Sequence, residues 1–375
     1  MKQLSNPFVI GKYVDKDYFC DREKESELLV HHIVNGRNVT MMSERRLGKT
    51  GLIEHVFANR LPSEYETFLI DIYTCKNLRE MVYLLANEVF KKISKKQPLL
   101  ERLLSVVQSL KATLSYNPIT GQPEFGLGLG EITQPEITLD EILSYLETSD
   151  KVCVVAIDEF QKIASFEEDN IEALLRTKIQ HLKNIQFIFA GSEHHLLESI
   201  FNDPARPFYN SVVFMQLLPI DQNEYIRFCQ RLFSLYGKSV SETLVSCLYD
   251  CFQGITWYLQ LSMNEAFTMA ERGGHVGEDT YEHILNHMVD SKRFTFEDRY
   301  ASLTEKQKTV LQAVAAEFPK ELTLTSQEFI TKYNLKTASS VQTAIKGLTE
   351  KGILNDNHGM KRPTDLLFML WLKKY

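Results

Sequence analysis

Residues 39–43, 67–73, 152–157, 186–190 and 212–218 form five short, nearly continuous runs of apolar and β-branched side chains. Between several of them lie longer segments with helical character. A strand that is apolar on both faces must be covered on both faces. The alternation therefore predicts an α/β domain, a doubly wound parallel sheet with helices on each side. Run 152–157, Val-Cys-Val-Val-Ala-Ile, suits a strand buried on both faces. Between the second and third runs, residues 114–139 hold two alternating stretches separated by Pro118-Ile119-Thr120-Gly121-Gln122-Pro123, the signature of an inserted hairpin.

After Pro219 the strand pattern stops. Residues 223–236, 241–252, 257–272 and 279–293 carry apolar positions at helical spacing and predict a helical subdomain. From Leu303 the pattern changes again. A helix over 306–317, a second from Ser326, a turn near Leu335, a third helix over 339–351, then Gly352-Ile353-Leu354 and a polar turn over 355–359 spell a winged helix. The expected division is 1–219 for the sheet domain, 220–300 for the helical part and 301–375 for the winged helix. A length of 375 residues suits two or three domains.

Composition adds less. At 44% hydrophobic and 24% charged residues the chain is ordinary for a folded protein. Its six cysteines show no C-x-x-C pair and no metal-ligand spacing, which points to a reducing compartment. The first residues lack the charged start and apolar run of a secretion signal, and no stretch approaches the roughly 20 apolar residues of a membrane helix. A cytoplasmic protein without a membrane partner is expected. The net charge of −7 is uneven: residues 291–375 hold 14 Lys and Arg against 9 Asp and Glu, a balance of +5, which leaves −12 on residues 1–290. A basic segment on an acidic body suggests contact with nucleic acid.

The chemistry concentrates at three strand ends. The first runs into Ser43-Glu44-Arg45-Arg46-Leu47-Gly48-Lys49-Thr50-Gly51 and then into a helical stretch, the setting a phosphate-binding loop requires. Backbone N–H groups around residues 46–50 would face a β-phosphate, reinforced by the helix N-terminus. Gly48 allows close approach, Lys49 supplies charge to the β- and γ-oxygens, and the Thr50 hydroxyl is a Mg²⁺ ligand. Ser43 stands where the usual G-x-x-x-x-G-K-T pattern has its first glycine. The third run ends in Asp158-Glu159, so that Asp158 would hold Mg²⁺ through water and Glu159 would orient and deprotonate an attacking water. The fourth ends in Gly191-Ser192-Glu193, where Ser192 either senses the γ-phosphate or caps the helix that follows. Gly126, Gly128 and Gly130 are spaced G-x-G-x-G and precede Pro135 instead of a helix, which excludes a dinucleotide site. Adjacent His194 and His195 have no partners at ligand spacing.

With these strand ends in place, the chain resembles the archaeal-type ATPase family of the STAND and AAA+ P-loop proteins, along essentially its whole length. The resemblance is carried by Phe19-Cys20-Asp21-Arg22-Glu23-Lys24-Glu25, matching an F-x-x-R-E-x-E opening segment, and by Arg45-Arg46-Leu47-Gly48-Lys49-Thr50. It continues in Ile157-Asp158-Glu159-Phe160-Gln161, Phe189-Ala190-Gly191-Ser192, Asp203-Pro204 with Pro207-Phe208-Tyr209, and the closing Phe368-Met369-Leu370-Trp371-Leu372. It implies that Arg22 and Glu23 lie against adenine, that the helical part forms a lid over nucleotide, and that the nucleotide is ATP. No guanine-reading N-K-x-D is present. Two departures matter. The family's G-x-P-x-Y-L motif reads Gly254-Ile255-Thr256-Trp257-Tyr258-Leu259 here, and Asn210-Ser211 stand where relatives carry Gly-Arg. Arg206, Arg45 or Arg46 is then left to supply the missing arginine, unless a partner does.

These readings converge on an ATP- and Mg²⁺-dependent switch ATPase. The alternatives are an ATP-regulated DNA-binding protein similar to replication initiators, and a nucleotide-retaining scaffold that engages a protein partner or a second copy of itself. For DNA, Ser340, Gln342, Thr343 and Lys346 on the third helix would face the major groove, with Lys361 and Arg362 near phosphate. The winged helix could equally pack on the lid or bind protein.

Overall fold

The computed structural model describes residues 4–20, 22–93, 132–320, 323–357 and 360–375, together with Leu103, Val107 and residues 113–116 and 123–126. By packing, these residues form two compact units, one spanning residues 22–218 and the other joining residues 1–21 to 219–375.

The first unit is built on a five-stranded sheet of β1 (Val39–Ser43), β2 (Tyr65–Asp71), β5 (Val152–Asp158), β6 (Ile185–Gly191) and β7 (Val213–Leu217). A hairpin of β3 (Thr113–Tyr116) and β4 (Pro123–Gly126) separates β2 from β5 in sequence. The strand order is β2-β5-β6-β1-β7, and every neighbouring pair is parallel. All five expected strands are present, within two residues of the bounds read from the sequence. The reason they are legible is burial: every residue of β1 and of β6 is buried, so neither strand has a polar face to break the apolar run. Helices Glu23–Val34, Lys49–Asn59, Leu78–Ile93, Pro135–Glu147, Ile171–Ile179 and His194–Asn202 belong to this unit.

One expectation changes here. Pro135 opens a helix. A proline in the first helical turn has no N–H to lose and a preset φ, so it starts a helix as readily as it ends one. The glycine spacing alone therefore argues against a dinucleotide site, and Gly128 and Gly130 lie outside the described residues. The hairpin matches its expected place, although its turn, residues 117–122, also lies outside them.

The second unit contains the helices Gln222–Leu235, Glu242–Cys251, Thr256–Met269, Tyr281–Asp290 and Arg293–Ala301. Strands had been expected to stop after Pro219. In fact β8 (Ser239–Val240) and β9 (His275–Val276) form a two-residue parallel pair, too short to leave a periodic signal. Thr256 is the first helical residue where the family motif has proline, a position that accepts either residue because its N–H bonds to nothing within the helix. The winged helix follows with helices Glu305–Glu317, Gln327–Lys332 and Ala338–Glu350, strands β10 (Leu354–Asn357) and β11 (Met360–Pro363), and a closing helix Leu366–Lys374.

Helical part and winged helix share one apolar core. The Tyr258 ring stacks on Phe252 at 5.2 Å. Its hydroxyl donates to Asp365 Oδ1 at 3.2 Å and accepts from the Leu366 N–H at 3.0 Å, fixing the start of the closing helix. Residues 4–20 belong to this core and not to the sheet domain, where their place in the sequence had put them. Phe8 is fully buried, with ring centroids 5.5 Å from Phe233, 6.1 Å from Phe267 and 6.2 Å from Phe228. The Asn264 side chain donates to the Phe8 carbonyl at 2.7 Å, and Asn6 returns a bond to the Asn264 carbonyl at 3.0 Å.

Phe8→Ala should lower the stability of this unit by roughly 3–5 kcal/mol, the usual result of emptying an aromatic site in a packed core. Both tryptophans of the chain, Trp257 and Trp371, lie in the same unit. Urea unfolding followed by tryptophan fluorescence is expected to show an earlier transition in the variant. An unmoved midpoint would mean that the segment does not hold the unit together.

Candidate phosphate-loop site

The strand order sets β2, β5, β6 and β1 side by side, so four C-terminal strand ends open on one edge of the sheet. That edge is where open α/β sheets place ligands. Each end contributes residues.

From β1 the chain turns through residues 44–47 into the helix Lys49–Asn59. Arg46 has φ 69° and Gly48 φ 91°, and Gly48 caps the helix. A Cβ at Gly48 would meet nothing within 4 Å, so space is free on that side and the backbone conformation alone selects glycine. Ser43 is wholly buried at the strand end, with its hydroxyl donating to the Glu44 carbonyl at 2.9 Å. Leu47 is buried, Glu44 and Gly51 are half-buried, and Arg45 and Arg46 are exposed.

From β5 come the acids. Lys49, only 7% exposed, places Nζ 3.8 Å from Asp158 Oδ1 and 3.7 Å from Glu159 Oε1. The Thr50 hydroxyl donates to Asp158 Oδ2 at 2.5 Å, and the Glu159 N–H donates to Asp158 Oδ1 at 2.9 Å. From β6, the Ser192 hydroxyl lies 3.0 Å from Glu159 Oε2, while Arg45 Nε donates to Ser192 Oγ at 3.3 Å. Lys49, Thr50, Asp158, Glu159 and Ser192 thus meet at one place although they come from three separate stretches of chain.

The remaining candidates occupy the surroundings. Arg22 is buried and donates to the Leu218 carbonyl at 2.6 Å, the Leu47 carbonyl at 3.3 Å and Glu25 at 2.8 Å. It therefore braces the loop from behind. Glu23 pairs with Arg60. Arg206 pairs with Glu172 through two nitrogens and donates to Ser199 Oγ at 2.8 Å. Arg45 is the more exposed guanidinium and sits 3.6 Å from Glu193.

Two residues of this edge escaped the sequence reading. Gln161 is buried and donates to Glu159 Oε2 at 2.5 Å. Asp71, the last residue of β2, pairs in register with Asp158. Only the strand order reveals it, since nothing in sequence places β2 beside β5. Desolvation and the Asp158 and Glu159 charges push its carboxyl above the usual value, against a bond from the Tyr73 N–H at 2.8 Å.

Among the described residues no group of three or more His, Cys, Asp or Glu side chains could hold a metal ion. That fits Mg²⁺ with nucleotide, an ion that takes one or two protein oxygens and completes its shell with phosphate and water. One hydroxyl and one carboxylate, Thr50 and Asp158, already face each other here. The open side of Gly48 and the backbone turning into a helix N-terminus suit a phosphate.

Strand order and loop together define a doubly wound parallel sheet of the P-loop type, followed by a helical part and a C-terminal winged helix. Residues 294–374 match the family model described as a probable winged helix domain. Among solved structures the chain is similar to a Walker-type ATPase of Pyrococcus abyssi, at 19% identity and a TM-score of 0.62 over 98% of this chain and 99% of that one. It is also similar to the ORC2 protein of Aeropyrum pernix solved as ADPNP-ADP complexes, at 15% identity and a TM-score of 0.57 over 98% of this chain and 96% of that one. No curated protein matches the sequence.

The raised Asp71 carboxyl has a pH consequence. A carboxyl that holds its proton more tightly when folded makes the fold lose stability as pH rises through the window above the ordinary carboxylate value. Asp71→Asn should abolish that loss. Wild type and variant are expected to differ little in thermal midpoint at low pH, with the variant gaining as pH rises past that window. Parallel curves across the range would contradict it.

Proposed function

We propose that this protein binds ATP with Mg²⁺ at the residue 43–51 loop and hydrolyses it as a switch, with the helical and winged-helix unit responding to the nucleotide state. The observation that carries the reading is the meeting of the Lys49 ammonium, the Thr50 hydroxyl and the Asp158 and Glu159 carboxylates within 4 Å at one sheet edge. Lys49 would exchange its two carboxylate partners for β- and γ-phosphate oxygens. The Thr50 and Asp158 oxygens would hold Mg²⁺, which supplies charge neutralisation on the phosphates when bound. Glu159 would orient a water and accept its proton. Ser192, within reach of both Arg45 and Glu159, is placed to register the terminal phosphate. Arg206 is committed to Glu172, which favours exposed Arg45 over it as the arginine that supports the reaction. Arg22 and Glu23 would flank the adenine end, with Arg22 acting through the loop it braces.

Winged-helix exposure keeps a second reading alive, an ATP-regulated contact with DNA. Gln342, Thr343 and Lys346 are exposed on the helix Ala338–Glu350, whereas Ser340 is only half-exposed, since it lies at the edge of the buried stripe Val341, Ala344, Ile345. Lys361 and Arg362 on β11 would touch phosphate. Lys346 stands 3.9 Å from Glu350, an exposed pair too weak to hold the ammonium away from a phosphate. The same face could serve a protein partner or a second copy. All six cysteines are free, which supports the reading of a reducing, cytoplasmic setting. Among the described residues no helix is long and apolar enough to cross a membrane.

Lys49→Ala is expected to weaken ATP binding at least about tenfold, and Glu159→Gln to keep binding while slowing phosphate release by roughly 10²–10⁴. Titration with labelled ATP and a phosphate-release assay separate the two. Phosphate release by Glu159→Gln at the wild-type rate would remove Glu159 from the reaction, and no ATP binding at all would remove the reading. For DNA, duplex affinity measured at two salt concentrations should fall steeply with salt if phosphate contacts are made. A flat response rules them out.

A further inference from the structure

Glu159 is held by more than its position at the end of β5. Its backbone is left-handed, with φ 57°, a conformation uncommon outside glycine. The next residue anchors it: Phe160 is fully buried, 4.4 Å from Phe189 and within 6 Å of Phe201 and Phe208 between ring centroids. Gln161 then folds back, 2% exposed, and donates Nε2 to Glu159 Oε2 at 2.5 Å. Its Oε1 is buried and receives no hydrogen bond. Turning the amide over would set that oxygen against the carboxylate, so charge fixes its orientation.

An unmet buried amide oxygen is costly, and a leucine of similar size would avoid it. Gln161 is therefore explained by what its other end holds. The neighbouring strand makes room: a Cβ on residue 191 would overlap Gln161 Oε1 and come within 2.8 Å of Leu197 Cδ1, so any larger residue there would push the Gln161 amide out of its present position. Gly191 is followed directly by Ser192, whose hydroxyl reaches the same Oε2 at 3.0 Å.

We propose that Gln161 is the positioning residue for Glu159, fixing the direction of its carboxylate jointly with Ser192, and that Gly191 is present to accommodate it. This rests on Glu159 acting as the base of the proposed hydrolysis. In that step the water oxygen bonds to the terminal phosphorus, the bond to the ADP oxygen breaks, and the water proton passes to Glu159. Two donors on the carboxylate set its direction. Gln161 makes its bond to Oε2, while Lys49 lies 3.7 Å from Oε1, so the amide touches no group of the loop directly.

In the full chain, Gln161→Leu should leave ATP affinity within about twofold while lowering kcat about tenfold. Gln161→Glu, which sets a second carboxylate beside the first and cannot donate to it, should lower kcat at least as far. If the leucine variant does not fold, Gln161→Asn, one methylene short of Glu159, carries the same expectations. A variant with wild-type kcat overturns the proposal, as does one in which kcat and ATP affinity fall together. Should wild-type protein release no phosphate, the hydrolytic reading fails, and Gln161 is judged without turnover by NMR of ¹⁵N-glutamine-labelled protein. Its side-chain amide signal, assigned by its loss in Gln161→Leu, should exchange slowly with water and shift in Glu159→Gln. Ordinary rapid exchange and no shift overturn the positioning role.

Discussion

A buried ammonium needs anions, and in this fold Lys49 finds them only because β6 sits between β1 and β5. Removing a charge from water costs several kcal/mol unless partners replace the lost hydration. Lys49 is 7% exposed and has two carboxylates between 3.7 and 3.8 Å away. The distance from the first strand end to the third is therefore an electrostatic requirement as well as a matter of sheet geometry. Both contacts are long for hydrogen bonds, so the ammonium is held by charge and not by directed bonds.

The sheet was legible in the sequence because strands buried on both faces cannot hide. The strand, turn and helix around Gly48-Lys49-Thr50 were legible because an apolar run stops at Ser43 and a helical pattern starts at Lys49. Asp158 and Glu159 could be paired with that turn because an apolar strand ending in two acids delivers them to the same edge. What the sequence could not carry was adjacency. Asp71 became part of the edge only through the register of β2 against β5, and Gln161 only through a side chain folding back over two residues, a local event with no periodic trace. The short β8 and β9 pair and the helix opening at Pro135 were missed for related reasons, one for brevity and the other because proline reads as a stop when it is a start.

The second unit shows why sequence order is a poor guide to packing. Helical part and winged helix, which differ in pattern, fill one core through Tyr258, Phe296, Phe368 and Trp371. Any response of the winged helix thus has to be a response of the whole unit, since its parts share one apolar core. Within the sheet unit, Arg22 bonds to the Leu218 carbonyl and to the loop residue Leu47, tying the loop to the end of β7.

The burial of Phe8 has a consequence for biosynthesis. Its partners Phe228, Phe233 and Phe267 are made more than two hundred residues later, after the entire sheet unit has been synthesised. The N-terminal segment must therefore remain exposed and apolar while the sheet folds, and the second unit closes around it last. Nascent chains of this protein carry an uncovered phenylalanine for most of translation, the interval in which a chaperone has something to grip.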